Sequence, residues 1–209
     1  GPTGVGKTAL LVERFRPGFG IISADSIQVY RHLDIGSAKA PASVRAAVPH
    51  YLVDILDPWQ QFSVGTFVRE ADAAVGDIVA NGNIPVVSGG TAYYFKHFLY
   101  GLSDAPPSDP EVRQRVRVLM EKHGLAWCHE WLGRVDPVSA KRIHPTDTQR
   151  VLRALEVWES AGRPLSSYEV PGTPRFGMKP LVIGLERPRG ELSARIAQRV
   201  LKMYDEGLE

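Results

Sequence analysis

The first eight residues, Gly1-Pro2-Thr3-Gly4-Val5-Gly6-Lys7-Thr8, fit the pattern G-x-x-x-x-G-K-[ST] at every fixed position. Glycines let a backbone curl until successive N–H groups converge on phosphate oxygens. Lys7 adds a positive charge to the same anion, and the Thr8 hydroxyl can ligate a Mg²⁺ shared with it. The helix expected over residues 7–15 points its positive end at the same spot. The motif specifies a phosphate compound but not which one.

Other residues that could act on such a compound follow apolar runs. Asp25 and Ser26 end the run Gly20-Ile21-Ile22-Ser23-Ala24, and a carboxylate there can hold Mg²⁺ or take a proton. The alternative is an Asp that caps the next turn. The following Ile27-Gln28-Val29-Tyr30 adds hydrogen-bonding groups and a ring. Gly89-Gly90-Thr91 follows the third run, and Thr91 can touch a ligand or cap a helix. Arg150 and Arg153 stand three apart in a helical pattern, beside Gln149 and with Arg113, Lys141, Arg142 and His144 elsewhere in the same region. Such a group can grip a phosphate backbone or simply form a solvated face. Arg195, Arg199 and Lys202 lie on the last helix, from which one could reach back to the phosphate crevice.

The elements that must position these groups alternate. Strands are expected over residues 20–24, 50–56, 84–88 and 179–185, with a helix starting at Ser63 and stopping at Asn81-Gly82. Strands separated by helices imply a parallel sheet flanked by helices, with ligands beyond its carboxyl ends. Asp25, Ser26, Asp57 and Thr91 are the polar residues expected there. The alternation breaks after the stiff Ala105-Pro106-Pro107-Ser108-Asp109-Pro110 stretch. Helices are then expected over 111–122, 125–134, 137–142 and 147–161, the last capped by Thr146 and stopped by Gly162. The organisation expected is an α/β core of residues 1–104 and 176–209 carrying an all-helical insert of residues 105–175. A phosphate loop ordinarily follows a buried strand, so the chain is expected to be part of a longer protein.

Composition narrows the class. The chain has 209 residues, 44% apolar and 23% charged, as in ordinary globular domains. A net charge of +2 imposes no global field toward nucleic acid, so local clusters must carry any such role. The single cysteine, Cys128, excludes an internal disulfide framework and suits a reducing compartment; it reads as a small buried residue. No apolar run approaches the roughly 18–20 residues of a membrane span.

Taken together, the motifs resemble one family closely, the tRNA dimethylallyltransferases or tRNA isopentenyltransferases. They are the opening loop; Asp25-Ser26-Ile27-Gln28-Val29-Tyr30; Asp34-Ile35-Gly36-Ser37-Ala38-Lys39; Asp57-Pro58; Gly89-Gly90-Thr91-Ala92-Tyr93-Tyr94; the run from His144-Pro145 through Gln149-Arg150-Val151-Leu152-Arg153-Ala154 to Glu156-Val157; and Arg199. They occur in order over nearly the whole chain. The departures are Val5, Ala92 and Ala40-Pro41, none of which removes a reactive group.

The resemblance implies a P-loop NTPase-like α/β core, with a helical insert that binds the anticodon stem-loop of tRNA. It implies transfer of a dimethylallyl group from dimethylallyl diphosphate to N6 of the adenosine immediately 3′ of the anticodon, assisted by Mg²⁺. By resemblance, Asp25 is the general base, and Lys7 and Thr8 support diphosphate and metal. Residues 1–8 form the diphosphate or nucleotide loop, and Arg199 is the diphosphate clamp. Asp25, Ser26, Ile27, Gln28, Thr91, Arg113, Gln149, Arg150, Val151, Leu152 and Arg153 match tRNA-contacting positions. A cytoplasmic, monomeric enzyme without membrane attachment is expected. Two other readings of the loop are a small-molecule kinase using ATP and a prenyltransferase acting on free adenine nucleotides. A third is a nucleotide-binding switch.

Overall fold

Three short apolar runs pair side by side to make the sheet. The computed structural model describes residues 1–14 and 18–208. Strand β1 (Phe19–Ala24) lies in the middle of the order β2-β1-β3, parallel to both β2 (His50–Tyr51) and β3 (Ile84–Gly89). Its residues are buried from Gly20 onward, which is why the run is apolar without alternation. The register pairs Ala24 with Gly89, so both strands end at one level. Gly89 is required there: a Cβ would lie 2.1 Å from the Ala24 carbonyl oxygen.

Helix α1 (Lys7–Arg14) follows the phosphate loop; Phe15 of the expected helix lies outside the described residues. A short α2 (Ala42–Ala47) precedes β2. Helix α3 (Val64–Ala80) starts where expected. Ser63 Oγ accepts the Thr66 N–H at 3.0 Å, an arrangement worth about 1 kcal/mol. It buries Phe67, Val68, Ala71, Ala74 and Ile78 against Ile22 and against Tyr94 and Phe98 of α4 (Ala92–Tyr100). Phe67 is fully buried and stacks on Tyr94 at 4.3 Å, a burial worth roughly 1.5–3 kcal/mol.

The last helical pattern also forms, as α9 (Arg189–Asp205), though it buries none of its residues. Four helices lie between α4 and α9: α5 (Pro110–His123), α6 (Leu125–Val135), α7 (Pro137–Arg142) and α8 (Thr148–Ala161). The chain folds as two compact units, Gly1–Gly101 with Thr173–Glu209, and Leu102–Gly172. In the helical unit Val116, Cys128, Leu132, Val151 and Leu155 make the core. Cys128 is the buried apolar residue expected, and burial pushes its thiol up. Asp109 caps α5 ahead of Pro110, Asp136 caps α7 ahead of Pro137, and Gly162 ends α8 in the left-handed region.

Three expectations are corrected. Residues 179–185 form no strand. Leu181, Val182 and Ile183 are exposed, because an apolar run becomes a strand only with a neighbour to pair with, and none does so among the described residues. The second strand stops at Tyr51 instead of reaching residue 56. Leu52 and Asp54 adopt positive φ (61° and 57°), which breaks the ladder, and pairing resumes only as a single bridge between Tyr30 and Leu56. The cap of α8 is Asp147, not Thr146: its carboxylate accepts the Arg150 N–H at 3.1 Å.

Candidate active site

The parallel register brings two loop starts to one level, Asp25 after β1 and Gly90-Thr91 after β3. The Thr91 N–H donates to the Ala24 carbonyl at 3.3 Å, tying them together. The phosphate loop faces the same place, since a Cβ on Gly90 would lie 3.8 Å from Lys7 Nζ. Gly4 and Gly6 hold the positive φ values (78° and 108°) that the curl requires.

Lys7 is the electrostatic centre. Its ammonium donates to the carbonyls of Gly1 and Pro2 at 2.9 and 2.8 Å. Its pKa is lowered, first by burial and then by the cation of Arg199, while the Asp25 carboxylate opposes the shift. Two cations and one carboxylate therefore act on one another across this crevice. Lys7 and Arg199 repel, a cost that a bound anion would remove.

Asp25 Oδ1 accepts the N–H groups of Ile27 and Gln28 at 2.9 and 3.3 Å. The turn-capping role left open by the sequence is thus real for one oxygen. Oδ2 has no hydrogen-bond partner among the described residues. Ser26 and Ile27 are exposed beside it. The Gln28 side chain is committed within the protein. Its Oε1 accepts the Ser23 hydroxyl at 2.9 Å, and its Nε2 donates to the carbonyls of Ser37 and Ala38 at 3.0 and 3.1 Å. Thr91 precedes α4 without a side-chain cap bond, so capping does not consume its hydroxyl. Asp57 pairs with Arg31 at 3.3 Å and donates its N–H to Gln60 Oε1 at 2.7 Å.

Helix α9 supplies more cations than expected. Arg199 donates to the Gly36 carbonyl at 2.8 Å and Arg195 to the Gly4 carbonyl at 2.9 Å. Lys202 instead pairs with Glu206. Arg187, just before α9, donates to the Val5 carbonyl at 2.8 Å and pairs with Glu191. Sequence reasoning passed over Arg187, because Glu186-Arg187-Pro188 reads as an ordinary polar turn.

In the helical unit the expected arginine grip comes apart. Val151 and Leu152 are buried in the core and offer no side chain to a ligand, since a continuous five-residue segment of a helix cannot present one face. Glu156, 6% exposed, accepts from Arg113 at 3.4 Å, Arg153 at 3.5 Å and Ser108 at 3.0 Å. Arg153 also donates to the Pro106 carbonyl at 2.5 Å. Gln149 and Arg150 remain exposed, with Arg150 paired to Asp147 at 2.6 Å.

The IPP transferase family model matches residues 28–209. The tRNA dimethylallyltransferase of Xanthomonas campestris pv. campestris (strain 8004) is 47% identical, over 99% of this chain and 64% of its own length. That of Xylella fastidiosa (strain 9a5c) is 44% identical, over 100% of this chain and 67% of its own. The chain belongs to the IPP transferase family.

Solved structures agree. The full-length tRNA isopentenylpyrophosphate transferase of Bacillus halodurans superposes with a TM-score of 0.61 at 34% identity, covering 99% of this chain and 65% of that one. A eukaryotic dimethylallyltransferase acting on tRNA gives 0.82 at 29% identity, covering 99% and 52%. This IPP transferase family chain thus spans about 64% of the Xanthomonas relative. The α/β unit has the P-loop NTPase-like fold expected for it.

Proposed function

We propose that the full protein transfers a dimethylallyl group from dimethylallyl diphosphate to N6 of the adenosine immediately 3′ of the anticodon in tRNA, releasing diphosphate. The observation that carries this reading is the meeting of Lys7, Arg199 and Asp25 around the phosphate loop. As the amine nitrogen bonds to the allylic carbon, the carbon–oxygen bond breaks and negative charge gathers on the leaving diphosphate. Lys7, Arg199 and the loop amides of residues 1–8 stabilise that charge. The nitrogen sheds a proton as it bonds, and Asp25 takes it on the oxygen not engaged by the turn. The target base must leave its stack, which suits a nucleotide in a single-stranded loop.

The donor set fits a Mg²⁺ held mainly by its substrate. Thr8 offers a hydroxyl and Asp25 a carboxylate, while no cluster of three His, Cys, Asp or Glu forms among the described residues. A small hard cation that keeps waters and takes phosphate oxygens suits so few protein ligands. When bound it would neutralise diphosphate charge. Ser26, Ile27, Thr91, Gln149 and Arg150 are the side chains best placed to meet RNA. No helix among the described residues is long and apolar enough to cross a membrane. The reading is of a cytoplasmic enzyme acting as a monomer.

The test is incubation of the full-length protein with tRNA and dimethylallyl diphosphate labelled in its allylic carbon. Label should enter tRNA and co-digest with the adenosine next to the anticodon. Label absent from tRNA, with ATP consumed on a small acceptor, would overturn the reading in favour of a kinase.

A further inference from the structure

We propose that Lys39 is a positioning residue for the diphosphate clamp: its ammonium holds the turn of residues 34–39, whose Gly36 carbonyl seats Arg199. The proposal rests on the reading of Arg199 as that clamp.

Lys39 is the most enclosed ion in the α/β unit's ion pairs, its side chain only 4% exposed. An ammonium has three donors, and all three are used. They go to the Tyr30 carbonyl at 2.7 Å, Asp34 Oδ1 at 2.8 Å and Asp54 Oδ1 at 2.6 Å. Asp54 is itself held by Arg45 at 2.6 Å. Lys39 therefore has no donor left for substrate. A buried lysine is costly unless fully paired, so its place calls for a reason other than diphosphate binding.

The reason lies in the turn. Residues 34–39 belong to no helix or strand, and within them Gly36 and Ala38 both have positive φ (91° and 53°). An alanine in that region is held there against a cost of about 1–2 kcal/mol. Three side chains do the holding. Lys39 ties the turn's two ends to Tyr30 and Asp54, Gln28 Nε2 donates to the carbonyls of residues 37 and 38, and Ser37 Oγ donates to the Asp34 carbonyl. The carbonyl so placed, that of Gly36, takes the Arg199 guanidinium at 2.8 Å. This is the one hydrogen bond that Arg199 makes among the described residues. The same Arg199 charge is felt at Lys7. Lys39 thus reaches the anion site through the carbonyl that seats Arg199.

A double-mutant cycle on the full-length protein tests this, with inorganic pyrophosphate as the probe and calorimetric affinity as the readout. Arg199→Ala should weaken pyrophosphate about fivefold or more in the parent protein. It should weaken it less than about twofold when Lys39→Met is already present, because the clamp is then unseated. Equal loss in both backgrounds would overturn the proposal, since damage to the fold alone multiplies with the loss of a clamp. A parent protein that does not bind pyrophosphate also overturns it. If Lys39→Met does not fold, Asp34→Ala takes its place, its carboxylate being 70% exposed. A non-additivity of about twofold or more is then expected, and strict additivity overturns the proposal. A parent protein that binds pyrophosphate but labels no tRNA sinks the functional reading alone and leaves the cycle decisive.

Discussion

The cations beside the phosphate loop and those of the helical unit are held in opposite ways. In the α/β unit Lys7, Arg195 and Arg199 rest on backbone carbonyls, of Gly1, Pro2, Gly4 and Gly36. In the helical unit Arg113 and Arg153 converge on the buried carboxylate of Glu156, and Arg150 is paired with Asp147. A carbonyl orients a cation without cancelling its charge, whereas a carboxylate cancels it. The first arrangement leaves a field for an incoming anion; the second fastens a linker and two helices together. Arginine count and spacing do not distinguish them, but the partner does.

The largest effect should come from Asp25, the carboxylate beside the Lys7 and Arg199 cations. Asp25→Ala should lower kcat of prenyl transfer by about 10²–10⁴-fold, with thermal stability little changed, because only a turn cap is lost besides the base. Single-turnover transfer of label to tRNA measures it. A loss below about tenfold would show that the carboxylate is merely the cap of its turn.

The helical unit should respond the other way. Glu156→Ala strips Arg113 and Arg153 of their shared partner and frees Ser108. Both arginines are more than a third exposed, so water compensates part of the loss. A destabilisation of about 2 kcal/mol is expected by urea unfolding, with pyrophosphate affinity unchanged. Unchanged stability would mean that these pairs tie nothing together.

This contrast also marks what was legible in the sequence. The phosphate loop, β1, β3, α3 and the four insert helices were readable, because glycine chemistry, apolar runs and Ser or Asp caps are local signals. The early stop of β2 was not, since it depends on positive φ at Leu52 and Asp54, which no residue type there announces. Nor was the failure of residues 179–185 to pair, because pairing is a property of neighbours. Within the candidate site, Lys7 and Asp25 stand out by type and position, whereas Arg199 is singled out from Arg195 and Lys202 only by the family resemblance. Arg187 and Lys39 were not assigned a role, because their partners, the Val5 carbonyl and Asp54, become visible only with the fold. The bonds of the Gln28 amide to its own loop are likewise invisible in the sequence.

A smaller effect separates the arginines within the helical unit. Arg150 is 76% exposed and its pair with Asp147 is a surface one, worth little to stability. Arg150→Ala should therefore leave urea unfolding within about 0.5 kcal/mol of the parent. It should weaken tRNA a few fold and reduce the slope of log affinity against log salt by about 1. An unchanged salt slope would remove Arg150 from the RNA-binding surface and leave Gln149 as the exposed candidate on α8.

The smallest effect asks whether the two units fail together in acid. Asp54 and Asp136 are both pushed below the usual carboxylate range. At each, burial works to raise the pKa and is outweighed, by Lys39 and Arg45 at Asp54 and by Ser139 and Ser166 at Asp136. A carboxylate whose folded pKa is depressed contributes stability that is present above its unfolded value, about 3.9. That contribution drains away as pH falls through the folded value. Melting temperatures measured from pH 6 downward should therefore stay level until about pH 4 and then fall, each group adding at most about 1.4 kcal/mol per pH unit to the slope. Asp54→Asn should flatten the fall in the α/β unit alone, because Arg45 then has no acid partner to lose and Lys39 keeps only the exposed Asp34. Asp136→Asn should flatten it in the helical unit, where the caps to Ser139 and Ser166 no longer titrate. If either variant flattened both unfolding steps equally, the two units would melt as one cooperative body rather than as independent folding units.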